Sequence, residues 1–242
     1  MSNRIDGTDH PNNLVGTEGE DRIRAKDGND TIEAFGGDDR IRGGDGDDLI
    51  KAGDGDDRVR GDDGNDTVFG GAGNDRIRGR DGNDRLLGEA GHDTLDGGDG
   101  DDVINAGSGD DVLNGDSGDD ILIGFTGNDE ISGGSGDDTL IGDAGFDTLT
   151  GDNGADQFEF QSPSDGVDVI TDFDFLEGDK VVINSLAFGT TSTSDFSSTF
   201  DLATGTEQLF FNDPGGGSVL IAELTNLSAD FEFIPSLDID FV

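Results

Sequence analysis

The sequence predicts an all-β fold: a parallel β-roll, with two sheets wound as a solenoid of 18 residues per coil and closed by a small C-terminal β cap. Three observations predict it. First, from Gly16 to Glu159 the chain is 16 consecutive nine-residue units without an insertion. Second, three places in the unit keep their chemistry throughout: the fourth is glycine from Gly19 to Gly154, the sixth is aspartate from Asp21 to Asp156, and the eighth is apolar from Ile23 to Phe158. Third, beyond residue 160 glycine thins out, phenylalanine becomes common and the period is lost.

Residues 1–15 read as a worn terminal repeat. Arg4-Ile5-Asp6 falls in phase with Arg22-Ile23-Arg24, and Leu14 holds the apolar place, but Asn12 stands where aspartate is expected and His10 where glycine is expected. Degenerate end units are what the cap of a repeat array requires. Within residues 16–159 each unit opens with six residues rich in glycine and acid and ends with an apolar residue between two others. That is a tight turn followed by a short strand. Glycine at the fourth place marks a backbone angle that a side chain would oppose. Strand neighbours point to opposite sides, so the eighth residue faces inward and the seventh and ninth face outward. Two units make one coil, and eight coils at ~4.8 Å per strand give a roll on the order of 40 Å long.

Residues 160–242 contain alternating segments at Val169–Phe175, Lys180–Leu186, Glu207–Phe211, Val219–Leu224 and Phe231–Ile234, with turns at Glu177-Gly178-Asp179 and Pro214-Gly215-Gly216-Gly217. They predict a small antiparallel β cap with a polar loop over Thr190–Thr199. An unpaired last coil would expose a sheet edge, so this segment is expected to cover it.

The composition limits the function. The 242 residues carry a formal charge of −43 and 43 glycines, and only 30% are hydrophobic. Without the repeat such values would indicate disorder. So large a negative charge argues against nucleic acid and anionic membrane as partners and calls for cations. There is no cysteine, which removes thiolate metal sites and disulfides. No apolar run reaches the ~20 residues that cross a bilayer. The N-terminal segment MSNRIDGTDHPNN has no apolar core of a signal peptide, so export is expected by another route.

The candidate metal ligands are the sixth-place aspartates Asp21, Asp30, Asp39, Asp48, Asp57, Asp66, Asp75, Asp84, Asp93, Asp102, Asp111, Asp120, Asp129, Asp138, Asp147 and Asp156. They alternate between two edges of the predicted roll, one coil apart. At ~5 Å, two unit charges repel by roughly 3 kcal/mol at an effective dielectric of 20. A counter-ion between turns removes that repulsion. Carboxylate and turn-carbonyl oxygens in an adaptable loop favour Ca²⁺ over Mg²⁺, which demands stricter octahedral geometry.

GGDGDDVIN at 97, GGAGNDRIR at 70 and GGSGDDTLI at 133 resemble the RTX, or haemolysin-type, calcium-binding nonapeptide, over residues 7–159. GADQFEF at 154, DVITDFDFLEGDKVVI at 168 and LTNLSADFEFI at 224 resemble, more loosely, the C-terminal region that follows such arrays in serralysin-type proteins. The first resemblance implies Ca²⁺ between turns n and n+2, bound by carbonyls of places two and four plus the aspartate of one turn and carbonyls of places one and three plus the aspartate of the next. One site would then use Gly98, Gly100 and Asp102 with Gly115, Ser117 and Asp120. The fourth-place donors would be Gly19, Gly28, Gly37, Gly46, Gly55, Gly64, Gly73, Gly82, Gly91, Gly100, Gly109, Gly118, Gly127 and Gly136. Sixteen turns paired in this way allow up to about 14 ions, enough to bring the net charge to about −15, so folding and binding are expected to be one event. Ala25, Ala34, Ala52 and Ala106 replace the first glycine, which leaves the carbonyl in place. Asp165 keeps the sixth-place phase beyond the array, but Phe160 and Pro163 interrupt the turn.

The two outer faces differ. Arg22, Arg24, Arg40, Arg42, Arg58, Arg60, Arg76 and Arg78 occupy places seven and nine of alternate units, with Arg4 in phase. This grid either offsets the acidic edges or grips a polyanion such as an alginate-like polysaccharide or a cell-surface ligand. The other face carries Leu49, Phe69, Leu87, Val103, Ile121, Ile123 and Ile141, an apolar strip expected to meet the cap or a second copy of the chain.

An enzyme is disfavoured. His10 and His92 are the only histidines and lie 82 residues apart, so no HExxH zinc site exists, and Cys, Tyr and Trp are absent. The expectation is a secreted, extracellular, non-enzymatic calcium-binding β-roll. Its C-terminal Asp238-Ile239-Asp240-Phe241-Val242 resembles the uncleaved signals of type I secretion. An adhesion or polysaccharide-binding module using the arginine face is the alternative.

Overall fold

In a computed structural model of the chain, residues 3–174, 176–184, 188–189, 196–201, 206–213, 217–225 and 239–241 are described. Each nonapeptide ends in a strand, and alternate strands fall into two sheets. One sheet runs β1 (Asn3–Asp6), β3 (Asp21–Asp27), β5 (Arg40–Asp45), β7 (Arg58–Asp63), β9 (Arg76–Asp81), β11 (Thr94–Asp99), β13 (Val112–Ser117), β15 (Glu130–Ser135), β17 (Thr148–Asn153) and β19 (Asp168–Ile170). The other runs β2 (Asn13–Thr17), β4 (Thr31–Phe35), β6 (Leu49–Asp54), β8 (Thr67–Ala72), β10 (Arg85–Ala90), β12 (Val103–Ser108), β14 (Ile121–Thr126), β16 (Thr139–Ala144), β18 (Gln157–Phe160), β20 (Lys180–Ile183) and β24 (Ile239–Phe241). All these neighbours pair in parallel, and within the array the register is 18 residues, as in Leu86↔Ile104 and Leu95↔Leu113. This is the β-roll expected from the period.

The core is a single column of eighth-place side chains from each sheet. Ile23, Ile32, Ile41, Ile50 and their successors to Phe158 are 0–1% exposed. Flanking residues turn outward, giving the alternating burial seen along every strand of the array. Towards the C-terminus the core widens, with Phe158 and Phe173 at 6.0 Å between ring centres and Phe188 edge-on to Phe211 at 5.2 Å.

The end of the roll differs from the small antiparallel cap expected. Parallel winding persists, because β19 pairs with β23 (Gly217–Leu224) and β20 with β24. Among the described residues of this end, antiparallel pairing is confined to β21 (Phe196–Asp201), β22 (Thr206–Asp213) and β23, which extend the first sheet. Residues 196–199, read as loop from their polarity, lie in β21, where pairing with β22 supplies the backbone partners a loop would lack. The predicted strand over 231–234 and most of the turn at 214–217 lie outside the described residues. The apolar strip is less exposed than its sequence suggests: only Ile121 is exposed, at 41%, Ile141 is buried, and the rest are half-buried among their column neighbours.

The turns explain the glycines unevenly. Gly109 has φ +134°, and a methyl group there would fall onto the carbonyl oxygen of Gly91 in the preceding coil. Gly19, at the same place of the first unit, has no positive φ and nothing within 4 Å of an added methyl. Gly109→Ala is therefore expected to lower unfolding free energy in urea by at least about 2 kcal/mol, while Gly19→Ala stays within about 0.5 kcal/mol.

Candidate calcium-binding turns

The 16 predicted aspartates, Asp21 to Asp156, are all brought to the turns and buried, at 0–3% exposure. The chain forces this geometry on them, because the sixth place is the last residue before an inward-facing strand. From Asp39 onward each uses one oxygen in the same way: Oδ1 accepts the backbone N–H of the aspartate 18 residues earlier, as in Asp84 N to Asp102 Oδ1 at 2.7 Å. Asp30 takes the amide of Asn12 instead, so Asn12 stands in for aspartate at the start of that column. The second oxygen, Oδ2, is buried without a hydrogen-bond partner at every sixth place from Asp30 to Asp156. At Asp21 the orphan is Oδ1, because Oδ2 accepts the Thr17 amide.

A buried carboxylate oxygen without a donor is costly, and here the cost recurs along both edges. Burial is the first cause that lifts these carboxyls. The amide hydrogen bond opposes it, and neighbouring carboxylates add to it. Asp57, Asp93, Asp102 and Asp129 are raised to about 7 and Asp66 to about 8. Among the described residues no three carboxylate or imidazole side chains gather around one point. A cation here must draw most of its ligands from turn carbonyls, with one carboxylate from each of two coils. An all-oxygen set of that kind, with unmatched negative oxygens already in position, fits Ca²⁺.

Two features of the turn were missed in the sequence. The fifth place carries a second ladder running the opposite way: its side chain accepts the fifth-place N–H of the next coil, as in Asn83 N to Asn65 Oδ1 at 2.7 Å. Asn or Asp at 12 of the 16 fifth places was the available signal. His92 joins this ladder, its Nδ1 accepting the Asp110 amide at 2.8 Å. The second place is left-handed in every unit from Lys26 to Asp152, including non-glycine residues such as Phe35 and Phe125, although glycine is frequently absent there.

The model of the RTX calcium-binding nonapeptide repeat matches in overlapping segments from residue 6 to residue 158. The chain belongs to this family. Calcium binding by a parallel β-roll is thereby its coarse function, and the matched family indicates no catalytic activity. The family match stops at residue 158 and does not reach DVITDFDFLEGDKVVI or LTNLSADFEFI. Comparison with curated protein sequences gives no match. Among solved structures, similarity is found to the extracellular lipase LipA from Serratia marcescens, with 20% identity and a TM-score of 0.37 over 95% of this chain and 38% of the lipase. The AlgE6R3 subunit of the Azotobacter vinelandii mannuronan C5-epimerase is 24% identical, with a TM-score of 0.24 over 58% of this chain and 86% of that one. This RTX chain thus spans well under half of the lipase it matches.

The raised carboxyls of the RTX turns give a signed pH dependence for the calcium-free chain. A folded-state pKa above the unfolded value of 3.8 favours folding while the group is protonated, and that contribution is lost as pH rises towards the folded values of about 6 to 8. Dialysed, calcium-free protein is therefore expected to gain β signal in far-UV circular dichroism as pH falls from 8 to 4. In the same interval the apparent calcium affinity falls, since ligation requires the ionised carboxylate.

Proposed function

We propose that this chain is a secreted, non-enzymatic RTX module that folds on binding Ca²⁺, with Asp21 to Asp156 and the turn carbonyls as ligands and up to about 14 ions between coils. The observation that carries this reading is the unbroken run of buried, unpartnered Oδ2 atoms along both edges. Each ion neutralises two stacked carboxylates, and without ions the repulsion accumulates over every coil. Affinities in the range of extracellular modules, 10⁻⁴–10⁻³ M, suit millimolar calcium outside the cell. Residues 160–242 serve in this reading as the cap of the roll and as the export signal of a type I route, on the resemblance of their segments to serralysin-type C-terminal regions. Circular dichroism tests the coupling. With chelator the chain is expected to be largely unordered, and millimolar Ca²⁺ restores a β spectrum. A folded spectrum at neutral pH in chelator overturns it.

A second reading, polyanion binding, is favoured by one specific observation. Arg22, Arg24, Arg40, Arg42, Arg58, Arg60, Arg76 and Arg78 line a groove of about 490 Å³ on the first sheet. Arg42 pairs with Asp62 and Arg78 with Asp96, but the other six are within ion-pair distance of no carboxylate among the described residues. Columns of like charge in register, such as Arg22↔Arg40↔Arg58, destabilise a sheet. A linear polyanion such as alginate, laid along the roll, relieves that repulsion with forked arginine contacts. Replacing Arg40, Arg42, Arg58 and Arg60 by Ser is expected to weaken alginate-oligomer binding at least tenfold in a calorimetric titration. Absence of wild-type binding at low salt removes this reading.

A further inference from the structure

The family match ends at residue 158 and the nine-residue spacing breaks at Phe160, yet one edge of the roll continues. The turn over residues 163–168 keeps the closing hydrogen bonds of the array's turns, although Ser164 at its second place lacks their left-handed backbone. In the array, Gly127 donates its N–H to the carbonyl of Ala144 at 3.0 Å; one coil later on the same edge Gly145 donates to the carbonyl of Asp165 at 2.6 Å. Asp138 N reaches Asp156 Oδ1 at 2.9 Å, and Asp147 N reaches Asp168 Oδ1 at 3.1 Å. Gln157 N donates to the carbonyl of Asp138 and Val169 N to that of Asp147, both at 2.8 Å. Gly166, at φ +134°, lies against Gly145 as Gly154 lies against Gly136. The register is 21 residues here in place of 18, and Ile170 then pairs with Leu149 as a fully buried eighth-place residue.

This alignment corrects the reading in which Asp165 kept the sixth-place phase. Asp168 holds that place, Gly166 the fourth and Asp165 the third. The three added residues are absorbed up to the third place of the turn, where Asp165 N donates to the Ser162 carbonyl, and the fourth to sixth places keep the bonding of the array.

We propose that residues 163–168 form a seventeenth calcium turn, which holds one further ion against the turn that ends at Asp147. The proposal rests on the calcium reading of the array and adds a site outside it. Asp147 and Asp168 supply the two carboxylates, and the carbonyls of Asp143, Gly145, Pro163 and Asp165 stand at the places that supply them in the array. Two observations point to a cation. Asp147 is 1% exposed with Oδ2 unpartnered, and Asp168 is 3% exposed. Asp165 also has a buried, unpartnered Oδ2, whereas the array's third-place aspartates, such as Asp45, Asp63 and Asp99, are exposed. The Asp165 charge acts on both Asp147 and Asp168 and adds to the attraction for a cation there.

The opposite edge ends differently. Asp179 takes the next sixth place, with Asp156 N on its Oδ1 at 3.0 Å, but its Oδ2 accepts the Asp174 amide at 2.7 Å. The N–H groups of Glu177, Gly178 and Asp179 all converge on the Asp174 carbonyl, so no nonapeptide turn faces Asp156 there.

The test is ion counting on the full chain, by equilibrium dialysis with elemental analysis and by locating Tb³⁺ through its anomalous scattering in crystals. Asp168→Asn keeps an acceptor for the Asp147 amide and removes the charge. It is expected to bind one ion fewer than wild type and to lose the peak between residues 147 and 168, while Asp179→Asn leaves the count unchanged. Should Asp168→Asn fail to fold, Asp165→Asn is read in its place, with the expected result of at least tenfold weaker affinity at one site. Wild type with a filled array and no peak at 147/168 overturns the seventeenth turn alone. Wild type that binds no ion at all overturns the calcium reading of the array with it.

Discussion

The structure depends on stacking one ionisable carboxylate per turn, directly above another, inside the protein. Each coil places two aspartates where one oxygen is hydrogen-bonded and the other is buried without a donor. The rest of the chain has little with which to oppose that. A nonapeptide buries one aliphatic side chain, a contribution of about 1.5–3 kcal/mol, and ordering nine residues of backbone opposes it by a larger amount. The roll therefore has a thin core, and much of its stability turns on how the carboxylates along the edges are satisfied.

Because the edges are uniform, differences between parts of the molecule lie elsewhere. The two ladders on each turn carry no information about a partner. The two outer sheet faces differ: one bears arginines with few carboxylate neighbours and the other a half-buried apolar column. That difference follows from the strand itself, where the eighth residue is committed to the core and only the seventh and ninth are free to vary.

The β-roll, its 18-residue register, its core column and the placement of all 16 aspartates were legible in the sequence, because each rests on a side-chain type that must recur at a fixed interval. What escaped were properties of the backbone. Left-handed geometry at the second place is invisible where Lys26, Phe35 or Arg80 occupies it. The fifth-place ladder was hidden by tolerance, since Asn, Asp and a single His all present an acceptor at nearly the same point. Asp168 was missed because phase was counted in residues, whereas the fold measures it in hydrogen bonds. The parallel continuation after residue 160 was obscured because β19 and β20 pair with the array but no longer repeat at its interval.

The opposed ladders have one more consequence. Sixth-place side chains reach towards the N-terminal end and fifth-place side chains towards the C-terminal end, so each coil is a directed part, like a brick with studs above and sockets below. At the first coil one stud finds nothing: Asp21 is left with an oxygen facing no amide, while Asp30 on the other edge meets the Asn12 amide. Towards the last coils the fifth-place row stops at Phe146 and Ala155, which donate their amides to Asn128 and Asp137 and offer no side-chain acceptor of their own. Interior coils are thus interchangeable in principle, whereas the two ends are not, and a rearranged array must keep its own first and last pieces.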